Sequence, residues 1–256
     1  KDKRILYISS ELTPYLPENE VSRMAFEVPK EMHHQGAQIR MFMPRFGVIN
    51  ERRHQLHEVI RLSGMNLIIN DMDMPLIIKV ASLPKERMQV YFIDNDEYFR
   101  RKAVFTDEEG NLFADNDERA IFFAKGVVET VKKLNWAPDI IHIHGWMASL
   151  LPLYLREYYK NDPLFADSKI VTSAFNYQTS GVLSGQKLID KIMFDQIGND
   201  KLGSFADGNG DSFVKIAIEN SDAVIRGSEE LSDEVSAVID KLDIPVLDYY
   251  PIEGFT

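Results

Sequence analysis

The stretch that decides the fold class opens with Arg4-Ile5-Leu6-Tyr7-Ile8-Ser9 and closes with Gln38-Ile39-Arg40-Met41-Phe42-Met43-Pro44. Both are short apolar runs rich in strand formers and read as buried strands. Between them, Glu18 to Gln35 carries Val21, Ala25, Val28 and Met32 at helical spacing, and Gly36 is placed to end that helix. Pro29 inside it predicts a kink or interruption. Strand, helix, strand is the opening of a doubly wound, mainly parallel sheet of the Rossmann-like α/β class.

The same pattern continues outward. Met88 to Asp94, Asp139 to His144, Lys169 to Ser173 and Ala223 to Arg226 read as further strands. Asn116 to Leu134, Trp146 to Tyr159, Phe213 to Asn220 and Glu229 to Lys241 read as helices. Residues 54–94 differ: three short runs, His57 to Leu62, Met65 to Asn70 and Leu76 to Leu83, predict a β-hairpin or meander insert. Asp195 to Asp211, rich in Gly, Asp and Asn, reads as a surface loop.

The chain has 256 residues, with 40 acidic against 29 basic side chains and a net charge of −11. That balance argues against nucleic acid as a partner, because phosphate binding needs a basic footprint. No apolar run is long enough to span a bilayer, so no membrane partner is expected. The start runs from charged residues straight into a strand without a signal-peptide cleavage pattern, which predicts a cytoplasmic location. With no cysteine, disulfides, thiolate metal sites and a cysteine nucleophile are excluded.

In an open parallel sheet, ligands bind beyond the carboxyl ends of the strands. Three such ends qualify: Ser9 to Pro14, His142 to Trp146, and Ser173 to Gly181. Neither GxGxxG nor GxxxxGK[ST] occurs, so classical dinucleotide and P-loop readings fail. The first strand is followed by Pro17-Glu18-Asn19-Glu20, with no glycine and two carboxylates where a phosphate would want none. His142 and His144 share one face of their strand but have no third ligand. No metal site or cofactor is expected. The bland reading packs His142 in the sheet and hydrogen-bonds His144 to a neighbour at its end. No GxSxG elbow supplies a nucleophile. His33, His34, His54 and His57 read as surface residues, Asp107 to Asn111 as a solvated acidic hairpin turn without EF-hand spacing, and Phe122, Phe123, Tyr158 and Tyr159 as packing residues.

The chain resembles the N-terminal domain of bacterial glycogen synthases and starch synthases, which have the GT-B fold. The resemblance rests on Ile8-Ser9-Ser10-Glu11 with Pro14, Pro29-Lys30, Met43-Pro44-Arg45-Phe46-Gly47, Val90 to Asn95 with Glu97-Tyr98-Phe99, and Asp115-Asn116 with Glu118-Arg119. It continues through Trp136, Pro138 to His142, His144, Trp146, Ser221 to Val224, Ser228 and Glu234. It implies glucosyl transfer from ADP-glucose or UDP-glucose to an α-1,4-glucan. On it, Ser10, Glu11, His144, Trp146, Asn176 and Gly181 line the candidate sugar and nucleotide cleft.

The departures from the family pattern are specific. The family's Lys-x-Gly-Gly-Leu loop aligns with Pro17-Glu18-Asn19-Glu20-Val21. Its His-Asp-Trp becomes His144-Gly145-Trp146, and its His-Asn becomes Phe175-Asn176. Residues 1–256 read as one N-terminal-type domain without the family's second domain. Three functional expectations follow: an inactive or regulatory relative that binds glucan, nucleotide sugar or a partner synthase; a half-enzyme completed by a separate C-terminal-domain chain; and a non-enzymatic scaffold or homo-oligomer.

Overall fold

The computed structural model describes residues 2–177, 185–206 and 210–255. The first strand, β1 (Arg4–Ser9), and the second, β2 (Gln38–Pro44), fall where their apolar runs predict, with α1 (Glu20–His34) between them. The expected break at Pro29 does not occur: α1 is one helix with Pro29 inside and buried. A proline there removes one hydrogen bond and crowds the preceding turn, at about 3 kcal/mol. Ala25 on the same helix is buried in the main core, Val21 and Met24 are buried against Phe175, and this packing offsets that cost. The helix ends at His34, with Gly36 just beyond at φ +96°.

The insert holds β3 (His57–Glu58), β4 (Asn66–Ile69), β5 (Met72–Pro75) and β6 (Ile77–Ser82), and leads into β7 (Gln89–Asp94). Only β4 and β5 form a separate antiparallel hairpin. β6 runs antiparallel to β7, and β3 to β6, so the insert widens the main sheet. After the short α2 (Asp96–Phe99) comes the long, mostly buried α3 (Asn116–Leu134), with Phe122 and Phe123 fully enclosed.

Then follow β8 (Ile140–His144), α4 (Leu151–Arg156), β9 (Lys169–Ala174), α5 (Gln186–Phe194), α6 (Asp211–Glu219), β10 (Ala223–Arg226), α7 (Asp233–Lys241) and β11 (Val246–Leu247). The helix expected over residues 146–159 is two pieces, a 3-10 turn at Trp146–Ala148 and then α4, which restarts with Pro152 in its first turn. The helix expected from Glu229 starts later, because Ser232 caps α7 by accepting the Val235 amide at 3.2 Å.

Among the described residues the main sheet has nine strands in the order β11-β10-β9-β8-β1-β2-β7-β6-β3, parallel from β11 to β7. The chain leaves β1 in one direction through β2 and β7, and returns in the other through β8 to β11. The topological switch point is therefore between β1 and β8.

One long-range tie crosses this framework. Lys125 of α3 donates to Asp195 at 2.5 Å and to the carbonyl of Ile68 in β4 at 2.7 Å, and the Tyr154 hydroxyl donates to the same carboxylate at 2.5 Å. Asp195 was expected in a surface loop. It is buried, as are Ile197, Leu202 and Phe205 after it. The segment is polar in composition, but it is held by a buried charge pair and three apolar anchors. No described helix is long and apolar enough to cross a membrane.

Candidate functional site

The carboxyl ends of β1 and β8 meet at the switch point, with Ser9 paired to His144 in the strand register. The Ser10 amide donates to the His144 carbonyl at 2.9 Å. Its hydroxyl is turned inward, accepting the amides of Met147 at 2.9 Å and Ala148 at 3.3 Å. Ser10 therefore caps the 3-10 turn after β8 and is fully buried. Gly145 sits at φ 92° and ψ 152°, a region essentially reserved for glycine. A Cβ there would lie 2.3 Å from the Ser10 hydroxyl oxygen. The acidic residue that the family pattern carries at this position has no room here.

His142 and His144 stack on the same sheet face with ring centroids 4.2 Å apart, and Tyr7 of β1 lies 5.3 and 6.1 Å from them. His142 Nε2 shares a 2.7 Å hydrogen bond with the Ser173 hydroxyl of β9. Burial pushes the His142 pKa down to about 3. Burial, and then the neighbouring His142, push His144 well below the usual histidine range. Both imidazoles are neutral at pH 7. The expected hydrogen bond of His144 to a neighbour is not formed: both ring nitrogens are buried without a partner among the described residues. The register explains it. His144 is stacked between His142 and Phe175, 6.1 Å away, and aromatic faces surround a ring that needs donors and acceptors at its edge. Trp146 is also a packing residue, set 4.8 Å from Phe105 and 5.5 Å from Phe213.

Glu11 and Asn176 lie nearer the surface. The Glu11 carboxylate accepts Asn19 Nδ2 at 2.9 Å. Burial raises its pKa, and the Asn19 hydrogen bond pulls the other way. The Asn176 amide donates to the Ser228 hydroxyl oxygen at 2.8 Å, and that hydroxyl donates to the Glu20 carboxylate at 2.8 Å. Gly181 lies outside the described residues. The structure thus gathers Ser10, Glu11, His144 and Trp146 at the switch point, but only Glu11 of these four reaches toward solvent.

The residues that shape the mouth are ones sequence reasoning did not single out as site residues. The N-terminus of α1 points amides and a positive dipole outward, which is what an anion needs. Here two of those amides are taken up by its own side chains. Asn19 Oδ1 accepts the Ser22 amide at 2.9 Å, and the Ser22 hydroxyl oxygen accepts the Asn19 amide at 2.8 Å, a reciprocal capping box. Glu18 pairs with Arg23 at 2.7 Å, which neutralises the nearest cation. The cleft alongside, of ≈ 430 Å³, is lined by Glu18, Asn19, Glu20 and Arg23 on one wall and by Tyr249 to Glu253 on the other. The Asn19-x-x-Ser22 spacing was a signal available in the sequence; the Ser228 bridge to Glu20 was not.

Phe175 is enclosed with Val21 and Met24, and Ile252 packs against this cluster. An imidazole expected from the family pattern is thus replaced by an apolar plug. Among the described residues no three His, Asp or Glu side chains gather as they would around a metal ion. The acidic turn is the hairpin its sequence predicts: Thr106 bridges Leu112, and the Asp107 carboxylate accepts the amides of Glu109 and Asn111, both at 2.9 Å.

Comparison with known proteins gives four concordant findings. The family model described as the starch synthase catalytic domain matches residues 4–240. The glycogen synthase of Chlorobium limicola is 33% identical over 233 residues, covering 91% of this chain and 47% of that protein. The glycogen synthase of Chlorobium luteolum is 34% identical over 236 residues, covering 92% of this chain and 47% of that protein. The solved catalytic domain of starch synthase IV from Arabidopsis thaliana, bound to ADP and acarbose, aligns with a TM-score of 0.71 at 18% identity, covering 88% of this chain and 45% of that one. At that identity the likeness speaks to the fold, which it matches as a GT-B starch synthase catalytic domain. The chain spans about half the length of the curated relatives it matches.

Proposed function

The chain belongs to the starch synthase catalytic domain family, and we propose that within it this chain is a glucosyltransferase-type domain that does not turn over a nucleotide sugar on its own. It is a cytoplasmic, regulatory relative that presents the family scaffold to a sugar, a glucan or a partner. The observation that carries this reading is the closed N-terminus of α1. A nucleoside diphosphate sugar needs open amides and cations at a strand-to-helix junction. Here the Asn19 and Ser22 amides are taken up by the capping box, and the flanking residues Glu18 and Glu20 are carboxylates that repel a phosphate.

Three other features support it. Phe175 replaces a hydrogen-bonding group with an apolar ring in a closed cluster. Gly145 has no space for a carboxylate. The imidazole of His144 is enclosed and neutral. Losing one positioned electrostatic group costs a factor of roughly 10²–10³ in rate, so the combined losses suppress the family reaction, glucosyl transfer from ADP-glucose or UDP-glucose to an α-1,4-glucan.

The test is radiolabelled glucose transfer from each donor to glycogen by the purified chain. Incorporation at background level is expected. Sustained turnover by the chain alone overturns the proposal, because a site without an open anion cradle could not support it.

A further inference from the structure

A second cavity lies at the opposite end of the same strands. It is ≈ 500 Å³ and is lined by Gln38, Arg40, Lys85, Arg87, Gln89 and Trp136 among others, with no carboxylate on its walls. Gln38 and Gln89 begin β2 and β7. β2 is 7 residues long, so the cavity is about 20 Å from the switch-point end of the sheet. It is a separate place from the cleft at α1.

The charge arrangement here runs against the rest of the molecule. The chain carries a net charge of −11, yet three cations converge on one compartment. None of Arg40, Lys85 and Arg87 forms an ion pair among the described residues. The one acidic residue of the turn, Glu86, is directed away to His34 at 2.9 Å. Arg40 is held in place by neutral groups. Its guanidinium lies 5.2 Å from the Trp136 ring centroid and 5.8 Å from that of Tyr91, and its Nη1 donates to the Tyr91 hydroxyl at 2.8 Å. Arg4 lies 5.9 Å from the same indole. An aromatic floor orients guanidinium groups without neutralising them. Lys85 and Arg87 occupy left-handed backbone conformations, φ 71° and 56°, within the turn that joins β6 to β7. Glycine or asparagine would be the easier residues there.

We propose that this cavity binds a small phosphate monoester. Three unpaired cations match its charge of nearly two better than the single charge of a carboxylate. Arg guanidinium forks suit phosphate oxygens. The Gln38 and Gln89 amides stand ready to donate to hydroxyls of the esterified group, and the volume is that of a small-ligand site. A long polyanion is disfavoured, since beyond the cavity it would meet an acidic protein. A compact anion responds to the charges within about 8 Å at physiological salt.

The test is calorimetric titration of the chain with inorganic phosphate, glucose 1-phosphate and AMP, repeated on K85N/R87N. Asparagine suits the left-handed backbone at both positions, so the variant keeps its fold, which circular dichroism checks. At least one probe should bind more tightly than about 1 mM, weaken with added salt, and lose about tenfold or more in affinity in the variant. The probe that binds most tightly identifies free phosphate, a sugar ester or a nucleotide as the ligand type. Absence of binding by all three probes, or binding that K85N/R87N leaves unchanged, overturns the proposal.

Discussion

Lowering the pH from 6.5 to 4.5 should weaken the fold through the stacked histidine pair. In the unfolded chain both imidazoles take up protons near pH 6.5. In the folded chain His142 resists protonation down to about 3 and His144 is likewise depressed, both chiefly by burial. The unfolded state therefore binds more protons than the native state in this window. Stability from this source is fully present above pH 6.5 and is lost as the pH falls toward the folded pKa. Each pH unit is worth about 1.4 kcal/mol per depressed group. Since the unfolded imidazole is already half protonated at pH 6.5, the two units remove about 2.3 kcal/mol through His142 alone, against a typical total of about 5–15 kcal/mol. His144 adds to the loss. Glu11 works in the opposite sense, because burial raises its pKa and protonating it is easier in the folded state. Urea denaturation at half-unit steps measures the profile. The decisive comparison is with His144→Leu, which removes two buried, unpartnered nitrogens. At pH 7.5 it should be neutral or stabilising by about 1 kcal/mol, and its acid slope should be shallower than that of the parent chain. A parent chain whose stability changes by less than about 1 kcal/mol over the window, or a variant with an unchanged slope, would refute the reasoning.

Gly145→Asp, which restores the family's acidic residue, should destabilise by about 3 kcal/mol, since both the backbone region and the contact with Ser10 forbid a side chain; a melting curve matching the parent's would contradict this. Lys125→Met should cost about 3–5 kcal/mol by leaving the buried Asp195 carboxylate without its cation. The double variant K125M/D195N should recover much of that loss, and additive effects in the double-mutant cycle would show that the pair is not coupled. P17K/N19G/E20G, which rebuilds the lysine and glycines at the start of α1, should lose only about 0.3 kcal/mol of helix capping, because glycine is itself tolerated at the cap. The same variant should bind ADP-glucose about tenfold more tightly than the parent, as read by calorimetry. Unchanged affinity would mean that the closed N-terminus is not what limits donor binding.

Strand and helix identities were largely legible because the relevant signals are local. β1, β2, α3 and β10 fall on the predicted residues, since apolar runs and helical spacing act over a few neighbours. The errors have causes of two kinds, tertiary packing and local capping. Pro29 was overruled by packing, Pro152 restarted a helix, and Ser232 moved a helix start. Legibility was poorer at the candidate site. Ser10, His144 and Trp146 are gathered at the strand ends as expected, but their side chains serve capping and packing. A residue's place at a strand end follows from the chain; the direction its polar atoms face depends on the neighbouring strand.

The amino-acid sequence by itself determined an α/β sheet with its ligand-binding end marked by Ser9 to Pro14 and His142 to Trp146, together with the loss of the lysine, glycines, aspartate and histidine that the family pattern carries. Tertiary structure alone decided what replaced them. It closed the α1 N-terminus with a Glu20–Ser228 bridge across the chain, joined Lys125 to Asp195, and collected Arg40, Lys85, Arg87 and Trp136 around one cavity. The physical reason is the range of the forces involved. Backbone preference and hydrophobic period are set by adjacent residues, whereas burial, ion pairing and cation clustering depend on which distant segments the sheet order brings side by side.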